Sequence, residues 1–303
     1  MTGPAPAPGA PPGTVKRWVL GARPRTLAAA AVPVAVGTAA GWWLTHADHG
    51  VVWWRAACAL VVALGVQIGT NYANDYSDGI RGTDEVRVGP LRLVASGLVS
   101  PGAVRAGALV AFGVAGVAGL ALAAATSWWL IPVGALCFVA GWLYTGGPKP
   151  YGYLGLGEVF VFVFFGLVAT VGSAYVQSVH LGWLPVLAAI PVGLLATALL
   201  EANNLRDVDG DRRAGKRTLA VRLGRERAGW LYVGALLGAA AGIVAVGVIR
   251  PWALLALLAG PLAVAPVATV RGGAEGRQLL AVLGATGRLQ LAVGLLLVVG
   301  IVV

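Results

Sequence analysis

Acidic side chains are scarce in this sequence. There are 12 Asp and Glu in 303 residues, beside 22 Lys and Arg, so that 11% of the chain is charged while 58% is hydrophobic. A water-soluble domain of this length cannot hide so much apolar surface, whereas a bilayer accepts it directly. That excludes a soluble protein and predicts an integral membrane one. Cysteine is almost absent. Cys58 and Cys137 lie in apolar runs without CxxC spacing, which supports neither a disulfide framework nor a zinc site. No glycine-lysine phosphate loop, GxSxG or HExxH occurs, so nucleotide hydrolysis, a serine nucleophile and zinc proteolysis have no residues to carry them.

What is abundant is apolar sequence in long runs. Nine are long enough to cross about 30 Å of hydrocarbon as helices: near 26–45, 52–74, 101–123, 127–145, 156–178, 183–203, 228–248, 251–270 and 282–302. The expected fold is all-α, one nine-span domain over 16–303 behind a disordered Pro/Gly/Ala tail at 1–15. The net charge of +10 follows topology, since the N-terminal segment and the second, fourth, sixth and eighth loops, with their membrane-edge residues, hold all Lys and Arg except Arg55 and Arg250. The positive-inside rule then places the N-terminus and the two long loops, roughly 75–100 and 204–227, in the cytoplasm and the C-terminus outside. No nucleic-acid partner is expected; membrane lipid is. The 45 glycines read as helix-packing positions.

Seven of the twelve acids fall in two clusters where the second and sixth runs end: Asp75, Asp78, Asp84 and Glu85, then Asp207, Asp209 and Asp211. Gln67, Asn71, Asp75 and Asp78 follow one another at i, i+4, i+8 and i+11, and Asn203, Asp207 and Asp211 at i, i+4 and i+8, so each set is expected to form a polar stripe on a helix. One such cluster is equally a solvated helix exit. Two with the same spacing, at a bilayer edge where acids are costly, point to function. "DVDGD" is no EF-hand, because its glycine comes one position early and Thr218 stands where a bidentate Glu belongs. Mg²⁺ takes one or two carboxylates together with phosphate oxygens, so facing Asp stripes suit a clamp on a diphosphate. Arg81, Arg87, Arg92, Arg206, Lys216 and Arg217 lie between the acids and could neutralise phosphate, though loop charge that sets topology explains each one as well.

"NDYSDGIRGTD" and "NNLRDVDGDRRAGKRTLAVRLG", on a chain of nine apolar runs, resemble the UbiA superfamily of membrane prenyltransferases from about Arg23 to the C-terminus. "ARPRTL" at 22–27, "GTDEVRVGPLRLVASGLVSP" at 82–101 and "YTGGPKPYGYLGLGEVFVFVFFG" at 144–166 look like the branch that prenylates 1,4-dihydroxy-2-naphthoate in menaquinone synthesis. The resemblance implies nine helices around a lipid-accessible cavity in the cell membrane. It implies transfer of a polyprenyl group from polyprenyl diphosphate, with Mg²⁺, to the naphthoate, with loss of carbon dioxide. Homogentisate, 4-hydroxybenzoate, chlorin or phosphosugar acceptors are the alternatives within the superfamily. A proton- or ion-coupled transporter is the alternative outside it, and it would need ionisable groups at helix midpoints.

On that resemblance, Asp75, Asp78, Asp207 and Asp211 are the expected Mg²⁺ ligands. Asp84 is a further candidate, displaced by two residues because Gly82 holds the position where the family pattern has its last Asp. Gln67, Asn71, Asn74 and Asn203 are expected polar contacts. Tyr144 or Tyr72 would offer an aromatic face to allylic cation character, although either could instead be an interfacial anchor. Arg23, Arg25 or Lys149 would orient the naphthoate carboxylate, and Glu158 could polarise a naphthol hydroxyl.

Overall fold

The computed structural model describes residues 13–45, 50–83 and 91–303, and every regular element among them is helical. Among the described residues seven helices are long and apolar enough to cross a membrane: Trp53–Ile80, Pro101–Ala125, Gly157–Ser178, Trp183–Arg213, Arg225–Ile249, Pro251–Arg271 and Gly276–Val302. Two shorter apolar helices, Ala28–Leu44 and Leu130–Leu143, accompany them.

In chain order, α1 (Thr14–Gly21) precedes α2 (Ala28–Leu44), α3 (Trp53–Ile80), α4 (Pro101–Ala125) and α5 (Leu130–Leu143). Residues 1–12 of the expected tail lie outside the described residues, and α1 begins at Thr14, inside the stretch assigned to the tail. Next come α6 (Gly157–Val161) and α7 (Ala169–Ser178), joined through the π-helical segment Phe162–Val168 into one span. Beyond them are α8 (Trp183–Arg213), the short α9 (Leu219–Leu223), α10 (Arg225–Ile249), α11 (Val264–Arg271) and α12 (Leu279–Val302). A 3₁₀ segment, Pro251–Ala263, leads into α11.

α3 and α8 outrun their apolar sequence. The spans expected at 52–74 and 183–203 continue as helix to Ile80 and Arg213, so both acidic clusters begin on helix and not in a loop. Nothing in 75–80 or 204–213 breaks a helix as Pro would, and Arg212 and Arg213 in the last turn of α8 favour its negative dipole end.

Lipid tails are as apolar as the side chains, so close helix contact has to come from shape. Gly37 and Gly41 on α2 supply it: a Cβ there would lie 2.2 Å from Thr170 O and 2.4 Å from Ala174 O of α7. Gly166 and Gly193 do the same between the π-helical segment and α8. The largest buried cluster runs through α2, α8, α10 and α12, with Tyr232 Oη and Thr286 Oγ1 meeting at 2.8 Å inside it. A second cluster, Ala22, Tyr72, Ala73, Leu93, Val104 and Ala108, ties α1, α3 and α4 to the turn at 91–98 near the acidic end of α3. At the opposite end, Trp53, Trp54, Trp128, Trp129, Trp183 and Trp252 are exposed near helix starts, as aromatic belt residues are.

Candidate functional site

α3 presents Gln67, Asn71, Asn74 and Asp78 to one cavity, a spacing of i, i+4, i+7 and i+11. α8 presents Asn203, Asn204, Arg206, Asp207 and Asp211 to the same space. Arg23, Arg92, Lys216, Tyr144, Tyr153 and Thr218 complete its polar end. From there an apolar tunnel continues between α3, α4, α5 and the α6–α7 span, and the whole cavity holds about 810 Å³.

Asp75, expected as a Mg²⁺ ligand, is not on that wall. At about 100° per residue it sits roughly 80° round the helix from Gln67, while Asn74 and Asp78 stay within about 20°. Its carboxylate accepts two backbone amides, from Leu93 N at 2.8 Å to Oδ2 and from Val94 N at 3.1 Å to Oδ1. Leu93 is fully buried beside Gly21, so Asp75 anchors the turn that carries Arg92 to the cavity.

Asp78 meets three side chains from other segments. Tyr153 Oη donates to its Oδ1 at 2.5 Å, Lys216 Nζ to its Oδ2 at 3.0 Å, and Arg92 Nη2 lies 3.7 Å from Oδ2. The Lys216 ammonium also sits 4.9 Å from the centre of the Tyr153 ring. Burial, then the charge and hydrogen bond of Asp78, push the Tyr153 hydroxyl well above the ordinary tyrosine range. On the facing wall Arg206 grips Asp207 through Nε to Oδ1 at 2.8 Å and Nη2 to Oδ2 at 2.7 Å, and Nη2 also reaches Asn203 Oδ1 at 2.7 Å. Among the described residues Arg206 Nη1 and Arg23 Nη2 find no hydrogen-bond partner; both are buried in the walls of a cavity that can hold an anion.

The remaining carboxamides hold helix ends in place. Asn71 Nδ2 donates to Ala22 O at 2.9 Å, Gln67 Nε2 to Thr26 Oγ1 at 3.2 Å, and Thr145 Oγ1 to Asn74 Oδ1 at 2.8 Å. Arg23 itself has φ 56°, ψ 68° just before Pro24, a left-handed conformation that is costly for a side chain of its kind.

Several other expected residues lie elsewhere. Arg81 is exposed and donates to Thr145 O and Gly147 O, bracing the 144–147 loop and leaving the cavity to others. Lys149 and Arg217 are exposed and off the cavity. Tyr72 is packed edge-on against Trp18 at 5.3 Å and donates to Trp18 O. Glu158 is buried behind the wall, with Asn204 Nδ2 donating to Oε1 at 2.8 Å. Arg25 lies in the 3₁₀ turn Pro24–Thr26, its side chain outside the described residues, and Asp84, Glu85 and Arg87 lie outside them as well. Asp209 is exposed and paired with Arg225 at 2.6 Å.

An aromatic ladder lines one side of the cavity. Tyr144 meets Tyr151 edge-on at 5.5 Å, Tyr151 stacks on Phe160 at 3.9 Å and 22°, and Phe164 follows at 6.0 Å. The wider π-helical turn beginning at Phe162 sets Phe164 and Phe165 in that wall. Of the ladder the sequence indicated only Tyr144. The aromatic run "YGYLGLGEVFVFVFF" was the available signal for the rest.

No group of three or more acidic, His or Cys side chains converges on a single metal position among the described residues. The donor set is nonetheless all oxygen: Asp78, Asp207 and Asp211 on two walls with Asn71, Asn74 and Asn203 between them. A hard cation held by one or two carboxylates and completed by phosphate oxygens fits that set.

The sequence pattern of the UbiA prenyltransferase family matches residues 30–278. The 1,4-dihydroxy-2-naphthoate octaprenyltransferase of Mycobacterium tuberculosis is 50% identical over 271 residues, covering 89% of this chain and 91% of that protein. The Escherichia coli protein of the same name is 38% identical, with 82% of each covered. A UbiA homolog from Archaeoglobus fulgidus, solved bound to GPP and Mg²⁺, superposes with a TM-score of 0.64 at 14% identity, over 93% of this chain and 99% of that one.

Proposed function

The chain belongs to the UbiA prenyltransferase family, and from that premise we propose that it transfers a polyprenyl group from its diphosphate to 1,4-dihydroxy-2-naphthoate, releasing diphosphate and carbon dioxide and forming demethylmenaquinol. The observation that carries the reaction class is one continuous cavity that joins an apolar tunnel to an end where three carboxylates, two buried guanidinium nitrogens and a lysine meet. The acceptor is supported by the relatives from M. tuberculosis and E. coli, whose names carry this activity.

Asp78, Asp207 and Asp211 would hold Mg²⁺, with Asn71, Asn74 and Asn203 beside them. When bound, the ion offsets charge on the departing diphosphate. Arg206, Lys216 and Arg92 bind phosphate oxygens; Arg206, already fixed to Asp207, meets them with its remaining N–H groups without reordering. The C–O bond breaks with its electron pair going to diphosphate. The Tyr144–Tyr151–Phe160 faces stabilise the allylic cation left behind and keep water from it. Arg23, with an unpartnered buried nitrogen, orients the naphthoate carboxylate. The ring carbon bearing that carboxylate forms the new C–C bond, and loss of carbon dioxide returns an electron pair to the ring, so no net proton is needed from the protein.

The two shorter apolar helices cross the bilayer together with the seven long ones, giving nine spans, and the acidic end faces the cytoplasm with the N-terminus. This orientation is supported by the placement of Lys and Arg along the chain.

The test is prenyl transfer by purified protein in detergent, with and without Mg²⁺, scoring prenylated quinol and carbon dioxide. Mg²⁺-dependent formation of both is expected. Turnover with another aromatic acceptor but not the naphthoate would discard the substrate and keep the diphosphate clamp.

A further inference from the structure

Glycine inside a membrane helix is usually explained by a neighbouring backbone that comes too close for a Cβ, and Gly37, Gly41, Gly166 and Gly193 fit that rule. Gly134 on α5 and Gly172 on α7 do not. Nothing lies within 4 Å of where a Cβ would stand on either, although a helix interior favours alanine over glycine. Other helical glycines share this empty surrounding, namely Gly102, Gly113, Gly234, Gly260 and Gly276, but none of those lines the cavity, whereas Gly134 and Gly172 both do.

The two positions belong to opposite sides of one seam. α5 packs on α3 and α4, and the side it turns towards the α6–α7 span is cavity wall: Leu130, Ile131, Gly134 and Phe138 on one side, Val168 and Gly172 on the other. Ile131, Val133 and Ala135 line the cavity and are exposed, so the cavity reaches the lipid-facing surface here. Gly134 lies about 6 Å along its helix from Leu130, and Gly172 about 9 Å from Ser178, so both sit at similar depth near the tryptophan end. Tyr144, at the polar end of the cavity, lies about 15 Å further along α5.

We propose that this seam is the exit for the far end of the prenyl donor, and that Gly134 and Gly172 set the chain length the enzyme accepts by leaving the exit unobstructed. The occupant is assigned by continuity: the seam is the apolar end of the same cavity whose other end takes the diphosphate, so the inference rests on the function proposed above. A side chain at either glycine projects into the path of a long tail and leaves the diphosphate end untouched, so discrimination arises from donor length alone.

The experiment compares geranyl and octaprenyl diphosphate as donors for the wild-type protein, Gly134→Leu, Gly172→Leu and the lipid-facing control Gly113→Leu. Wild type and control should use both donors. The two seam variants should keep kcat/KM for geranyl diphosphate within about twofold and lose at least tenfold for octaprenyl diphosphate. Gly134→Ala and Gly172→Ala, which add one methyl, should shift the ratio in the same direction and keep the test readable if a leucine variant fails to fold. Equal loss of both donors in the alanine variants, or undiminished octaprenyl turnover in folded leucine variants, would overturn the exit while leaving the prenyltransferase reading intact. No wild-type turnover of either donor would sink both.

Discussion

Tyr153 donates a 2.5 Å hydrogen bond to Asp78 across 75 residues of sequence, and Lys216 reaches the other oxygen of the same carboxylate from a third segment. Two loops are thus fastened to one acid at the end of α3. Tyr153→Phe removes the only hydroxyl among those contacts. A hydrogen bond to a charged group contributes about 1.5–3 kcal/mol, so kcat/KM for the diphosphate donor should fall by roughly tenfold to a hundredfold. Steady-state kinetics at saturating Mg²⁺ checks this, and an unchanged value would show that Lys216 alone positions Asp78.

The same contact has a pH signature. Burial and the neighbouring Asp78 charge raise the Tyr153 hydroxyl above its ordinary value near 10, so the folded protein favours the protonated form. The stability this contributes is fully present below the unfolded value and is lost only as pH rises through the higher folded one. Between about pH 7 and 9 the Tyr153 bond should therefore stay intact, and wild type and Tyr153→Phe should give kcat/KM profiles of the same shape at different heights. An alkaline limb in that window that vanishes in the variant would contradict it.

Asp75 and Asp78 are three residues apart and should fail differently. Asp78→Asn should remove at least 99% of turnover in a protein that stays folded. Asp75→Ala leaves the amides of Leu93 and Val94 without their acceptor, which costs about 1–3 kcal/mol for each buried group left unsatisfied. Its thermal midpoint in detergent should drop, while the Mg²⁺ concentration giving half activity in the remaining folded protein stays put. A large shift in that Mg²⁺ requirement would return Asp75 to the ligand set.

Much of this was legible in the chain. Apolar runs gave the helical membrane architecture, and the two clusters of acids at helix ends include Asp78, Asp207 and Asp211, which line one cavity. What could not be read was helix phase against the cavity. The i, i+4, i+8 rule admits Asp75 to the stripe, and only the packing of α3 shows that Asn74 belongs there instead. Tyr153 escaped notice for another reason: its partner Asp78 lies 75 residues away on α3, and no local spacing encodes a contact between that helix end and the 144–156 loop. Arg81 was expected to meet phosphate and Lys149 the naphthoate carboxylate, yet the one braces a carbonyl pair and the other faces solvent, a difference that loop charge alone does not encode.

Arg23 separates stability from activity. Its left-handed backbone costs about 1–2 kcal/mol for a residue with a Cβ, and glycine carries no such penalty. Arg23→Gly should raise thermal stability, or at least leave it unchanged, while the KM for the aromatic acid rises about tenfold or more. Arg23→Ala should raise the same KM without the stability gain. If neither changes that KM, another cation orients the acid.

Close packing along α2 gives the last expectation. Gly41→Val would place atoms within 2.4 Å of Ala174 O, and overpacking of this kind costs about 1–3 kcal/mol or more. The variant should show a lowered midpoint or reduced recovery of folded protein, and Gly113→Val, exposed and uncrowded on α4, should not.

The exposed tryptophans at one end of the bundle fix where the chemistry happens in depth. Along α3, Trp53 and Asp78 are 25 residues apart, which is about 38 Å of helix. With the indoles resting among the headgroups of one leaflet, Asp78 reaches the headgroup layer of the other, since headgroup to headgroup is about 40–45 Å. A lipid-like donor already keeps its charged end in that layer and its tail in the hydrocarbon. Bound with its diphosphate at Asp78 and its tail in the apolar tunnel, it keeps both ends at the depths they already occupy, so binding requires no multiply charged group to be dragged through oil. The arrangement also hands the product, a quinol without a diphosphate, back to the layer in which it dissolves.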